Sequence, residues 1–218
     1  MSGLFVTFEG GEGSGKSTQL RLLARRLRTF PEEVVETRDP GGTTVGKEIR
    51  RLLLSRESAP MSEVAELLLY EASRAQLVRE VIGPALARGA VVLSDRFTDS
   101  TLAYQGYGRG LDLDLILRLN HLATAGLRPD LTLLLDVDPR VGLDRCARIA
   151  NTEAMSRDRI EQEPLVFHQR TREGYLALAR QEPDRIRLID ATLSVTEIET
   201  AVWDEFVRLR RSRLTVHS

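Results

Sequence analysis

Cysteine is nearly absent. Cys146 is the only one in 218 residues, which excludes an intrachain disulfide and fits a reducing cytoplasmic setting. Lysine is almost as scarce: of 31 basic residues only Lys16 and Lys47 are lysines, so arginine is the default cation and Lys16 stands out. Neither sign of charge is in excess, since 32 acidic residues leave a formal net charge of −1. That balance argues against broad attraction to nucleic acid or an anionic membrane, and an aromatic content of 5% offers little for stacking on bases. No apolar run approaches the ~18 residues of a membrane span. The first apolar stretch ends at Glu9 without a basic n-region or a small-residue cleavage pattern, which is not a secretory signal. Repeats, low-complexity tracts and Pro/Gly/Ser linkers are missing too, so residues 1–218 read as a single domain.

The chain does contain short apolar runs of strand type, at Leu4–Phe8, Val34–Thr37, Ala90–Leu93, Leu131–Leu135 and Ile186–Ile189. Such continuous runs, bounded by turn or charged residues, are typical of strands buried on both faces. Helical periods lie between them. Leu20, Leu23, Ala24 and Leu27 follow i, i+3, i+4, i+7, and Ser62 is an N-cap for a long helix to about Arg88, ended by Gly89. A further helix is expected from about Val195 to about Arg210. Strands alternating with helices predict an α/β three-layer sandwich, with a five-stranded parallel sheet and helices on both faces. Ligands bind such sheets beyond the carboxyl ends of the strands.

The first of those ends carries Gly10-Gly11-Glu12-Gly13-Ser14-Gly15-Lys16-Ser17, followed by Thr18. It fits G-x-x-x-x-G-K-[ST] between a strand and an amphipathic helix, the phosphate-binding P-loop pattern. Glycines let successive N–H groups converge on one anion, and the helix N-terminus adds its positive end. Lys16 suits the β- and γ-phosphates of ATP, and the Ser17 hydroxyl suits Mg²⁺. A nearby carboxylate is then needed. Glu9, Asp95 and Asp136 each end a strand. Asp95 is followed by Arg96, an anion and a cation together, which suits a metal beside a second phosphate. An ion pair holding the strand end is the plainer alternative. Asp136 precedes Val137-Asp138-Pro139, which reads first as a helix start.

Further clusters exceed what ATP alone requires: Arg38-Asp39-Pro40-Gly41-Gly42-Thr43, Tyr70 and Arg74 on one helix face, Ser100-Thr101…Ala103-Tyr104-Gln105-Gly106, and Asp158-Arg159-Ile160-Glu161. Read singly, Tyr70 is also a possible core aromatic and Arg74 a possible solvated helix charge. In this order and spacing, over almost the whole chain, the motifs resemble those of the thymidylate kinases, a group of nucleoside monophosphate kinases with the P-loop NTPase-type fold. The resemblance implies phosphate transfer from ATP to dTMP with Mg²⁺, in the service of dTTP synthesis. Tyr70 matches the position that stacks on thymine, and Arg74 and Gln105 match those that read its edge, with Ser100 beside them. Arg50 and Arg96 match positions that hold the dTMP phosphate. Glu9 and Asp39 match acidic positions near sugar, phosphate and metal, although Asp39 is shorter than the Glu usual there. A homodimer is implied as well, with the helix from Ser62 as an interface element.

The segment from about 140 to 160 carries Arg140, Arg145, Arg148, Arg157 and Arg159 with few apolar residues. It reads as a lid or, more plainly, as a charged helix face. The resemblance implies a catalytic arginine either in the P-loop or in this lid. Positions 11–14 hold no arginine, so the expectation falls on Arg159, then Arg148 and Arg145. Two rivals remain at this stage: a kinase for another nucleotide, and a GTP-binding switch. Asp39-Pro40-Gly41-Gly42 fits D-x-x-G, but the chain has no Asn-Lys-x-Asp.

Overall fold

The computed structural model describes residues 3–55, 60–153 and 158–215. Five strands form one sheet in the order β2-β3-β1-β4-β5, every pairing parallel. They are β1 (Leu4–Glu9), β2 (Val34–Arg38), β3 (Val91–Asp95), β4 (Leu131–Asp136) and β5 (Ile186–Asp190). Each expected strand is present within a residue or two of its predicted bounds.

Strand alternation divides the core between the two faces. Val6 and Phe8 of β1 pack with Leu20, Leu23 and Leu27 of α1 (Lys16–Leu27) and with Val202 and Phe206 of α9 (Val195–Thr215). Phe5 points the other way, against Leu77 of α3 (Glu63–Leu77), Ile82 and Phe97. The same side holds α6 (Leu113–Thr124) and α8 (Leu165–Gln181), whose Ile116, Phe167 and Tyr175 cluster with Leu134 and Leu67. A fully buried leucine or phenylalanine contributes roughly 1.5–3 kcal/mol, so these clusters hold the strand ends in a fixed relation.

The remaining helices are α2 (Thr44–Leu54), α4 (Gly83–Ala87), α5 (Thr98–Thr101) and α7 (Pro139–Glu153). The long helix expected from Ser62 starts there: the Ser62 hydroxyl accepts from the Ala65 amide at 3.2 Å. It is not a uniform α-helix. A π-helical turn at Val78–Ile82 separates α3 from α4. A second π-helical stretch, Leu102–Gly108, continues α5. The wider winding of such turns re-aims side chains and is frequent at functional sites; this one carries Tyr104 and Gln105.

One close approach ties α7 to the P-loop. Gly13 has φ +65°, and a Cβ there would lie 2.0 Å from the Gly142 carbonyl oxygen. A Cβ on Gly142 would lie 2.1 Å from the Glu12 carbonyl. Only glycine at both positions lets the two backbones meet.

Candidate active site

Every strand that borders the site delivers its chemistry at its carboxyl end, because parallel strands all finish on the same edge. β1 leads into the P-loop, β2 into Arg38 and Asp39, β3 into Asp95 and Arg96. Arg96 adopts φ +71°, a left-handed turn that a side chain seldom takes and that is tolerated where surrounding contacts enforce it. Its amide donates to the Phe8 carbonyl at 3.0 Å, and the turn sends the guanidinium across the mouth of the P-loop.

Two cavities open there. The first, of about 340 Å³, is lined by Glu12 through Thr18 of the P-loop together with Arg21, Arg38, Asp39, Arg50, Asp95, Arg96 and Ile149. The second is lined by Tyr70, Arg74, Ser100, Thr101, Tyr104, Gln105, Asp158 and Ile160, among others. Glu12, Asp39, Arg50 and Arg96 line both. The cavities therefore meet at two guanidinium groups and two carboxylates.

Lys16 is 7% exposed. Its Nζ donates to the carbonyls of Gly10 at 3.0 Å and Gly11 at 2.7 Å and to the Ser14 hydroxyl at 3.2 Å. Burial pushes its pKa down to about 8, and Arg96 adds to that; Glu12, Asp95 and Glu9 oppose it. Ser17 donates its hydroxyl to the Asp95 carboxylate. A divalent cation would find one hydroxyl and one carboxylate at this point, and among the described residues no group of three or more His, Cys, Asp or Glu forms a cage. That donor set suits Mg²⁺, which takes most of its ligands from phosphates and water.

Arg96 makes five hydrogen bonds from its guanidinium. One terminal nitrogen donates to the Gly10 carbonyl (3.1 Å), the Ser100 hydroxyl (3.2 Å) and the Tyr175 hydroxyl (3.0 Å). The other reaches Glu12 at 2.7 Å and the Tyr104 hydroxyl at 2.9 Å. Burial would raise the Glu12 carboxyl, but Arg96, Lys16 and the Tyr104 hydroxyl outweigh it and hold its pKa at about 2. Arg50 donates to the Pro40 carbonyl at 3.2 Å.

Several expected residues stand otherwise than a free ligand-binding group would. Arg74 is 1% exposed and all five of its N–H groups have acceptors: Asp39 at 2.6 Å, Glu71 and Asn120 at 2.7 Å each, Thr101 at 2.8 Å, and the Phe97 carbonyl at 3.3 Å. Asp39 is correspondingly occupied, with one oxygen on Arg74. Glu9 lines neither cavity. It is 0% exposed, with one oxygen accepting from the Phe97 amide at 2.7 Å and the other from the hydroxyls of Ser100 at 2.5 Å and Tyr175 at 2.9 Å. Arg159 donates to the Leu53 carbonyl at 2.8 Å and to Glu66 and lines neither cavity. Arg145 donates to the carbonyls of Ala191 (3.0 Å) and Gly13 (3.4 Å). Arg148 is exposed on α7, next to Ile149 at the P-loop cavity. Arg157 lies outside the described residues. Asp136 forms a paired contact with Arg172, at 2.7 and 2.8 Å.

Burial of Glu9 has a measurable consequence. Desolvation, reinforced by Asp99, pushes its pKa up from 4.5 to about 7 against the opposing pull of Arg96 and its hydroxyl partners. The folded protein then binds a proton here that the unfolded chain has already lost between about pH 4.5 and 7, so this group's contribution to stability falls as pH rises through that window. The amount is on the order of 3 kcal/mol. Glu9→Gln keeps the site neutral and shaped for its partners. Its melting temperature should match the parent near pH 5 and exceed it at pH 8. Parallel melting profiles over that range would show that Glu9 is not the source.

Arg38, which lines the P-loop cavity, and Tyr104 lie inside motifs that gave them no individual role, while Arg21, also lining that cavity, Tyr175 and Glu66 belong to no motif. Arg21 could have been found as the i+4 neighbour of Ser17 on the face nearest the loop. Tyr175 comes from α8, far along the chain, and no local pattern marks it.

The family model for thymidylate kinase matches residues 8–202. The chain belongs to the thymidylate kinase family. A thymidylate kinase of a Synechococcus species is 56% identical over 200 residues, 92% of each chain. That of Geobacter sulfurreducens is 54% identical over 203 residues, 93% of this chain and 95% of the relative. Among solved structures, the thymidylate kinase of Ehrlichia chaffeensis superposes with a TM-score of 0.75 at 34% identity, covering 94% of this chain and 99% of the other. A thymidylate kinase also answers the geometry, because two cavities that share cations are what joining two anionic nucleotides demands.

Proposed function

We propose that this protein transfers the γ-phosphoryl group of ATP to dTMP, giving ADP and dTDP for dTTP synthesis. The observation that carries the reading is the shared wall of the two cavities at Glu12, Asp39, Arg50 and Arg96. ATP phosphates occupy the P-loop side, and the acceptor phosphate sits where Arg50 and Arg96 converge. A phosphate monoester has a second pKa of ~6 and is already anionic at neutral pH, so no general base is required. The obstacle is the mutual repulsion of two anions approaching in line. Lys16, Arg96 and Arg50 supply fixed positive charge against it. Mg²⁺, when bound, neutralises the β- and γ-phosphates, and Ser17 and Asp95 are the residues that would hold it.

Tyr70 offers its ring to the base face and Gln105 its amide to the base edge, with Ser100 beside them. Arg74 meets the base only by sharing a donor already in use, and the weakest of its bonds, 3.3 Å to the Phe97 carbonyl, is the one most readily shared. We read residues 1–218 as one domain with a lid at about 140–160. Arg148 and Arg159 are its catalytic candidates; for Arg159 that role requires release from Glu66. Val64 and Leu68 on α3 and Leu117 on α6 are each at least half exposed, an apolar surface on adjacent helices that supports a homodimer. Among the described residues no helix is long and apolar enough to cross a membrane, in keeping with a cytoplasmic enzyme.

A panel of dTMP, dUMP, CMP, UMP, GMP and thymidine with ATP and Mg²⁺, followed by ADP release, tests the assignment. dTMP should be the preferred acceptor. Inert dTMP beside rapid conversion of another member would replace the substrate. Nucleotide binding without any transfer would favour the switch-like alternative, which family membership does not.

A further inference from the structure

Glu66 is an acidic residue 1% exposed, and nothing in the phosphate chemistry uses it. It sits in the first turn of α3, where four donors from three side chains converge on its carboxylate. Gln105 Nε2 donates to Oε1 at 2.8 Å. Arg109 donates to Oε1 at 3.2 Å and to Oε2 at 3.1 Å, and Arg159 also donates to Oε2. Burial would raise the Glu66 carboxyl, but these bonds and the charges of Arg109 and Arg159 hold it below the usual carboxylate range. It is therefore ionised at neutral pH and accepts hydrogen bonds only.

An acceptor-only partner removes the ambiguity of an amide. Gln105 can face Glu66 only through its NH₂ group, so its Oε1 becomes the free end of a side chain that lines the cavity. An amide oxygen accepts and does not donate. On the reading that a pyrimidine monophosphate sits here, thymine and uracil present an N3–H donor to it, whereas neutral cytosine presents a lone pair at N3 and is repelled. We propose that Glu66 is a positioning residue for base selection: it locks the Gln105 amide in the orientation that accepts from N3–H and so excludes cytosine nucleotides. A bare glutamine would turn over and serve either base. Glu66 prevents this because its own protonation is suppressed by two arginines, of which Arg109 is anchored again by Glu163 at 2.7 Å.

Binding of dTMP and dCMP to the full-length protein, by calorimetric titration, tests this in the parent, Glu66→Gln and Glu66→Asp. A glutamine at 66 can donate as well as accept, which frees Gln105 to flip. The dTMP-over-dCMP preference should fall by about tenfold or more, since a site built to pair with a substrate N–H gains most of its selectivity from that pairing. Glu66→Asp keeps an acceptor-only group and should retain the preference within about threefold. Equal weakening toward both nucleotides in Glu66→Gln would mean a structural role only and overturn the proposal. Should Glu66→Gln melt below the assay temperature, Gln105→Leu decides. Without the acceptor the preference must collapse, and its survival overturns the proposal. A parent that itself fails to prefer dTMP over dCMP would instead count against the substrate assignment.

Discussion

Lys16→Ala should lower kcat by roughly 10³-fold while leaving the KM for dTMP within a few-fold of the parent. The asymmetry follows from placement. Lys16 lines the P-loop cavity and not the second one, so on the proposed reading its charge acts on the donor phosphates and on the charge that spreads as the phosphoryl group moves. Its Nζ is already held over the site by three oxygens of its own loop, so little reorganisation is needed when ATP arrives. The fold should survive the change, since those oxygens are two backbone carbonyls and a hydroxyl that water can serve. The remaining cations cannot replace it. Arg96 is committed to Glu12 and two tyrosines, and Arg50 lies toward the acceptor. Steady-state kinetics with varied dTMP at saturating ATP, alongside a thermal melt, checks the result. A kcat within about tenfold of the parent would remove Lys16 from the chemistry.

Much of this arrangement was legible in the residue order. Five buried strands show as five short apolar runs, because a parallel sheet covered on both faces needs continuous rather than alternating hydrophobicity. The P-loop is legible for a related reason: a backbone that must cradle an anion restricts residue choice position by position. Asp95 with Ser17 follows from the same local logic. What sequence could not supply is pairing between distant segments. Glu9 ends a strand beside the P-loop and reads as a ligand, yet Phe97, Ser100 and Tyr175 enclose it, and all three come from segments far along the chain. Arg74 reads as a donor free for a base, yet its acceptors arrive from positions 39, 71, 97, 101 and 120. Arg159 reads as a lid cation, and its tie to Glu66 depends on α3 being brought beside residue 159 by the fold. In each case the residue type announces a charged group in the right region, while its state depends on contacts that only the folded chain brings together.

Arg96 is where those contacts converge, and replacing it should have the broadest effect. Arg96→Lys keeps the charge but not the planar fork that serves five acceptors at once. Because Arg96 lines both cavities, kcat should fall and the KM for dTMP should rise together, for a combined loss in kcat/KM of about 10³-fold. Arg96→Ala adds a stability cost. It strips Glu12 of its 2.7 Å partner in a setting where both side chains are more than four-fifths buried, and an unpaired buried charge costs about 3–5 kcal/mol. The cost is separable from the loss of activity. Adding Glu12→Gln to Arg96→Ala removes the stranded charge, so the double variant should recover melting temperature relative to Arg96→Ala while remaining inactive. Non-additive stability with no rescue of turnover is what a residue serving both the fold and the reacting phosphates requires. If the double variant melts no higher than Arg96→Ala, the pair is not coupled. If Arg96→Lys turns over dTMP at the parent rate, a point charge suffices at this strand end and the geometry of the fork is not what the reaction uses.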